Sequence, residues 1–142
     1  MNNFIPRRYN YTLETGVIGT DDEDIANILY NVNRMEMKAS FFSEQREEME
    51  ESLSDVFFMI ADSKVHLGRF MNAFEDKLDQ ETLATVKTTL DEALKITRAA
   101  ETSNVDLNAI HSAMLFAYKK LLGAVPFIHA LDNQAVGKDL NA

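Results

Sequence analysis

Six carboxylates crowd one short stretch: Glu44, Glu47, Glu48, Glu50, Glu51 and Asp55. On a helix, steps of four, three and four bring Glu44, Glu48, Glu51 and Asp55 onto one face. A row of oxygen ligands like this suits a magnesium ion. It equally suits a solvated charged helix surface, with arginine and lysine nearby to balance it. The histidines are His66, His111 and His129, each on or near an apolar helical stripe. None belongs to the Glu-x-x-His motif of di-iron bundles. Asp62 and His66 stand one turn apart, so they can pair. No serine lies in a nucleophile elbow, and the five glycines are too scattered for a phosphate loop. There is no cysteine, which removes disulfides, thiolate metal sites and cysteine nucleophiles.

The stretch Asp55-Val56-Phe57-Phe58-Met59-Ile60-Ala61-Asp62 resembles a helix of the MazG-type nucleoside triphosphate pyrophosphohydrolases. The resemblance covers about fifteen residues. It implies all-helical subunits, magnesium held by carboxylates and hydrolysis of nucleoside triphosphates. Glu51 and Asp55 would stand for the family's glutamate–aspartate pair, but four residues apart where the family has three. Arg34-Met35-Glu36-Met37-Lys38 offers one glutamate where the family has a cluster. Metal ligation by Glu44, Glu48, Glu51 and Asp55 is therefore the enzyme alternative. Another alternative is a nucleotide-like anion bound or sequestered by Arg7, Arg8, Lys119 and Lys120.

The elements that would carry these groups are helical. From Ile25 to Phe74, alternating steps of three and four give Ile25, Ile28, Val32, Met35, Ala39, Phe42, Arg46, Met49, Leu53, Val56, Ile60, Ser63, Leu67, Phe70 and Phe74. All but Arg46 and Ser63 are apolar, the pattern of a long helix with one adhesive seam. Unbroken, it would extend roughly 75 Å. Thr20-Asp21-Asp22-Glu23 reads as its capping box, with the acid run at the positive end of the helix dipole. Ala39 to Ser43 is the one place where it could break and Ser43 could restart it. The heptad phase runs straight through, so the expectation is one continuous helix over 20–78. Val56 to Ala61 is apolar all round, which predicts burial on more than one face.

Asp79 opens a second helix, with Leu83, Val86, Leu90, Ala93 or Leu94, and Thr97 on its inner face. Ser103-Asn104-Val105-Asp106 caps a third, carrying Leu107, Ile110, Met114, Ala117 and Leu121. That helix is expected to stop at Gly123, with Pro126 just beyond. Met35, Met49, Met59, Met71 and Met114 take core-like positions, where methionine fills irregular gaps. No strand pattern stands out. The predicted class is all-α: an elongated bundle of about three helices over 20–133, coiled-coil-like in its first helix. It carries an extended basic and aromatic arm over 1–19 and a polar tail over 134–142.

The arm holds Phe4, Arg7, Arg8, Tyr9 and Tyr11 and has no helical period. Aromatic and arginine side chains of this kind anchor contacts, to a neighbouring subunit or to the parent bundle. The net charge of −9 argues against tracking the phosphates of naked nucleic acid. No unbroken apolar run approaches a bilayer span, and no stretch reads as a signal peptide. The expectation is a non-enzymatic homo-oligomer without cofactor, binding itself or another protein chain. It would be cytoplasmic or packed in an assembled particle such as a phage virion, as a structural, assembly or adaptor part. The seam residues Ile25, Ile28, Val32, Met35, Phe42, Arg46 and Met49 and the arm would form the interfaces. Arg46, a charge on the seam, would fix register, so that Arg46→Leu raises stability and loosens oligomer specificity.

Overall fold

A computed structural model describes residues 7–101 and 105–137. The chain begins with an antiparallel hairpin, β1 (Tyr9–Leu13) and β2 (Gly16–Thr20), followed by four helices: α1 (Glu23–Ala39), α2 (Arg46–Phe74), α3 (Gln80–Ala100) and α4 (Leu107–Ala135). A single turn of 3₁₀ helix, Glu75–Lys77, follows α2. Lys38 meets Asp55 and Asp24 meets His66, so α1 and α2 run antiparallel. Lys64 meets Asp91 across α2 and α3, and Glu92 meets Lys120 across α3 and α4. The result is an up-down-up-down four-helix bundle, in which α1 also packs on α4 to close the ring.

The expected continuous helix over 20–78 is therefore two helices, and the bundle has four rather than three. The break has local causes. The Ser40 hydroxyl turns back to donate to the Glu36 and Met37 carbonyls at 3.1 and 3.0 Å. The Ser43 hydroxyl accepts from the Gln45 N–H at 3.0 Å, a turn that competes with helix. Tertiary contacts then hold the elbow: Phe42 meets the His111 ring edge-on at 5.6 Å, and Arg46 donates to the Val105 carbonyl at 2.6 Å. The heptad phase survives the break because α1 and α2 each turn the same kind of stripe to one core.

Seam burial follows. Ile25, Ile28, Val32, Met35 and Met49 lie in the interior of a single chain, with Leu53, Val56, Ile60 and Phe70. Expected at an interface between chains, they are packed against the chain's own helices. Phe42 and Arg46 sit exposed at the elbow.

Within the described part of the arm, residues 9–20 form a hairpin rather than an irregular extension. Tyr9, Tyr11 and Leu13 alternate along β1, with Leu13 buried against the bundle. Gly16 takes a φ of 128° at the hairpin turn, open to glycine and rarely to other residues. Gly19 is needed for close approach, since a Cβ there would lie 2.5 Å from Asn10 Oδ1 and 3.1 Å from Arg7 Cβ. The hairpin docks on its own helices. The Asn33 amide donates to the Thr12 carbonyl at 2.7 Å, and the Tyr118 hydroxyl to Glu14 at 2.9 Å.

Three helix ends differ from expectation. Asp22, not Thr20, caps α1, accepting from the Ile25 N–H at 2.9 Å. Thr20 ends β2, and its hydroxyl accepts from the Asp22 N–H. Asp106 caps α4, accepting from the Ala109 N–H; Ser103 and Asn104 lie outside the described residues. α4 runs through Gly123 and Pro126 to Ala135, into the expected tail. A mid-helix proline costs about 3 kcal/mol. Burial of Val125, Ile128 and Leu131 around and beyond it recovers that, at roughly 1.5–3 kcal/mol per side chain. By length and composition alone, α4 is apolar enough to cross a bilayer. One stripe of it, Ile110, Met114, Ala117 and Leu121, is bundle core.

Candidate functional site

The acid ladder lies on the first two turns of α2 and on the elbow before it. Its members do not converge. Asp55 pairs with Lys38 of α1 at 2.9 Å, and Glu48 takes a short hydrogen bond from the Ser43 hydroxyl. Glu44 and Glu51 are exposed. A cleft of about 370 Å³ opens here, lined by Met37, Lys38, Phe41, Glu48, Glu51 and Ser52. A magnesium cage needs facing acids from a neighbouring helix. α1 presents Lys38 instead, while Glu36 lies towards Tyr118 of α4. Among the described residues no three carboxylates or histidines are arranged to hold a metal.

The best-organised polar cluster joins α1 to α2. The amide of Asn31, buried on α1, donates to Asp62 Oδ2 and Ser63 Oγ, both at 3.0 Å. The Ser63 hydroxyl in turn donates to the Met59 carbonyl at 2.8 Å. His66 is held at both ring nitrogens, with Asp24 2.9 Å from Nδ1 and Asp62 3.5 Å from Nε2. The pairing of Asp62 with His66 was legible from their spacing; Asp24 and Asn31 were not singled out. The ring nitrogens point apart, so Asp24 and Asp62 cannot chelate one ion with this histidine. Ser63 is bonded to a carbonyl and an amide rather than to His66, so no base addresses its hydroxyl. The cluster is a polar clamp between two helices.

A second cluster lies where β2 meets α4. Asp132 is 2% exposed, and neither oxygen has a partner in ordinary hydrogen-bond geometry among the described residues, the Thr20 hydroxyl being close but poorly placed. Burial pushes its carboxyl above the usual range. Thr20, Arg7 and His129 pull it down, while Asp22 adds to the rise. Nδ1 of His129 is likewise buried and unpartnered. Asp132 continues the stripe Leu121, Val125, Ile128, an acid on an apolar line. Reading the helix as ending at Gly123 hid it. About four turns back along α4, at the turn of the hairpin, burial and the Glu14 hydrogen bond raise the Tyr118 hydroxyl far above its usual pKa.

The cations expected to hold an anion are separate. Arg7 pairs with Asp21 at 3.6 Å. The Arg8 N–H donates to Asp21, and its guanidinium lies 6.0 Å over the Tyr9 ring. Lys120 pairs with Glu92 of α3 at 3.2 Å. It stands ~18 Å along α4 from Asp132, the neighbour of Arg7. Lys119 is exposed beside it. Of the arm's aromatics, Tyr11 packs against Tyr30 of α1 at 6.2 Å, and Tyr9 joins it in a shallow cleft of about 330 Å³. Phe4 lies outside the described residues.

No protein-family model, no curated protein and no solved structure matches this chain.

Proposed function

We propose that this protein is a non-enzymatic helical component of a larger protein assembly, structural or adaptor in role, as in a phage virion or a comparable particle. One observation carries the reading. The polar clusters serve the fold, while large apolar side chains stand on the outside, with Met37 79%, Phe58 70% and Val65 59% exposed. Phe58 and Val65 stand seven residues apart on one outward face of α2, and exposed apolar side chains grouped on one face mark a contact surface. The net charge of −9 speaks for a protein partner rather than naked nucleic acid.

The test is paired. Mass by light scattering after size exclusion, on the full chain, reports self-association. Incubation with nucleoside triphosphates and magnesium reports pyrophosphate release. The expected result is no turnover above a blank. Turnover that Glu51→Gln abolishes would overturn the reading in favour of the enzyme.

A further inference from the structure

Building on that reading, we propose that α2 docks antiparallel on α2 of a second copy of this chain, with Phe58 on the two-fold axis. The outward face of α2 carries Glu47, Glu51, Ser54, Phe58, Val65 and Arg69 at helical spacing, and all six are exposed. It is acidic before Phe58; after it stand Arg69 and, alongside, Lys64, while Asp62 is taken up by Asn31 and His66. Of the six acids from Glu44 to Asp55, Glu48, Glu50 and Asp55 have partners within the chain; Glu44, Glu47 and Glu51 have none among the described residues. Beyond Phe58, the α2–α3 groove is floored by Leu67, Met71, Leu90 and Leu94 and rimmed by Lys64, Lys87, Lys95 and Arg98. Asp91 is the acid lining it and is taken by Lys64 at 2.6 Å. Lys87 and Lys95 have no ion-pair partner among the described residues.

The two halves are complementary through a two-fold rotation. Glu47 stands eleven residues before Phe58, and Arg69 eleven after. Glu51 stands seven before and Val65 seven after, with Lys64 alongside. Antiparallel apposition therefore places Glu47 opposite the partner's Arg69, and Glu51 beside the partner's Lys64 and the cationic groove. Arg69 is 69% exposed and free to turn, since its one ion pair among the described residues is a loose 3.9 Å approach to Asp24. Gly68 supplies a further argument. It sits inside α2, where glycine is less favourable than alanine. A Cβ there would meet nothing within 4 Å in the monomer. A bare spot at the edge of a groove lets another helix come close. α2 spans ~44 Å, long enough for a two-fold contact to approach the area of a stable interface, about 1,200 Å² or more.

Charge swapping tests this on the full chain. Lys87→Glu with Lys95→Glu puts acid on both halves, and Glu47→Lys with Glu51→Lys puts base on both. All four positions are exposed, so circular dichroism should show both variants folded. Wild type should sediment as a dimer that weakens with salt. Each variant alone should dissociate at least about tenfold more readily, and an equimolar mixture should restore the dimer. Direction is read by disulfide trapping, since the native chain has no cysteine. Glu47→Cys mixed with Arg69→Cys should cross-link, and Glu47→Cys alone should not. A wild-type monomer at 100 µM, on the order of a weak encounter's Kd, would overturn the proposal. So would a dimer indifferent to the swaps, or cross-linking of Glu47→Cys with itself. A monomer without nucleotide turnover sinks only this dimer; a monomer with turnover sinks the assembly reading too.

Discussion

Replacing Asp132 by asparagine probes the least comfortable group in the bundle. The carboxyl is 2% exposed, and both its oxygens lack partners in ordinary hydrogen-bond geometry among the described residues. In the unfolded chain it titrates near 3.8, and in the folded chain burial raises that value. Between the two values the folded protein keeps a proton that the unfolded chain has lost. Stability therefore falls as pH rises through this window and stays low above it. At neutral pH the fold must either ionise a carboxylate in its interior or hold a proton against the solution. Asparagine has nearly the same shape and no charge to desolvate.

Asparagine keeps unmet polar atoms in this place and removes only the charge, whose burial costs about 1.4 kcal/mol for each unit by which it raises the carboxyl. Asp132→Asn should therefore raise stability at pH 7 by about 1–3 kcal/mol. For a chain of this length that is roughly 3–10 °C in Tm. Thermal unfolding followed by circular dichroism at pH 3.5, 5 and 7 is the assay. The difference between variant and wild type should narrow towards pH 3.5, where the acid is protonated in the folded state and mostly so in the unfolded one. A variant equally or less stable at pH 7 would show that Asp132 is paired or wet. A gap that ignores pH would show the effect to be packing rather than charge.

Arg46→Leu should lower stability by about 1 kcal/mol, because the Val105 carbonyl loses its donor and Glu50 its ion pair. This reverses the expectation from the heptad pattern, and chemical denaturation would decide. Asn31→Ala removes the amide that bridges Asp62 and Ser63; a loss of about 2 kcal/mol is expected by the same method. Asp106→Ala removes the α4 cap and should cost about 1 kcal/mol. At the start of α3, the Thr82 hydroxyl and N–H hold the Asp79 carboxyl below its usual range. NMR titration should place its midpoint under 3.8, with any stability from this cap lost as pH falls through it.

Helical class, the cores of the last two helices and the cap at Asp79 were legible in the sequence, since each rests on spacing or a local donor. The elbow was less so. A seven-residue stripe reads the same in one long helix as in two antiparallel helices sharing a core, and Ser40 and Ser43 decide through bonds that spacing does not display. The hairpin was visible in retrospect as Tyr9, Tyr11 and Leu13 alternating before a glycine turn. It was hidden because aromatic residues there suggested an anchor rather than a strand. The extent of α4 was lost because Gly123 and Pro126 are strong local stops. Val125, Ile128 and Leu131 outweigh them only once other helices surround them. Asp132 went unseen for the same reason.

The segment Val56 to Ala61 links packing to assembly. Six apolar residues in a row cover the whole circumference of a helix, and a bundle helix has core on about half of it. Val56, Met59 and Ile60 take the core side. Phe57 is half-buried beneath Arg98, whose guanidinium lies 5.3 Å from its ring. Ala61 is small and half-buried. Phe58 is the remainder, with no fold role on its outward side. Measured at a concentration low enough for wild type and variant both to be monomeric, Phe58→Ser should leave Tm within about 1–2 °C, the range of a surface change. A larger drop would mean that the ring supports the fold after all. An unchanged Tm would leave a phenylalanine held in water by something other than folding, at the midpoint of a face acidic on one side and carrying Arg69, with Lys64 alongside, on the other.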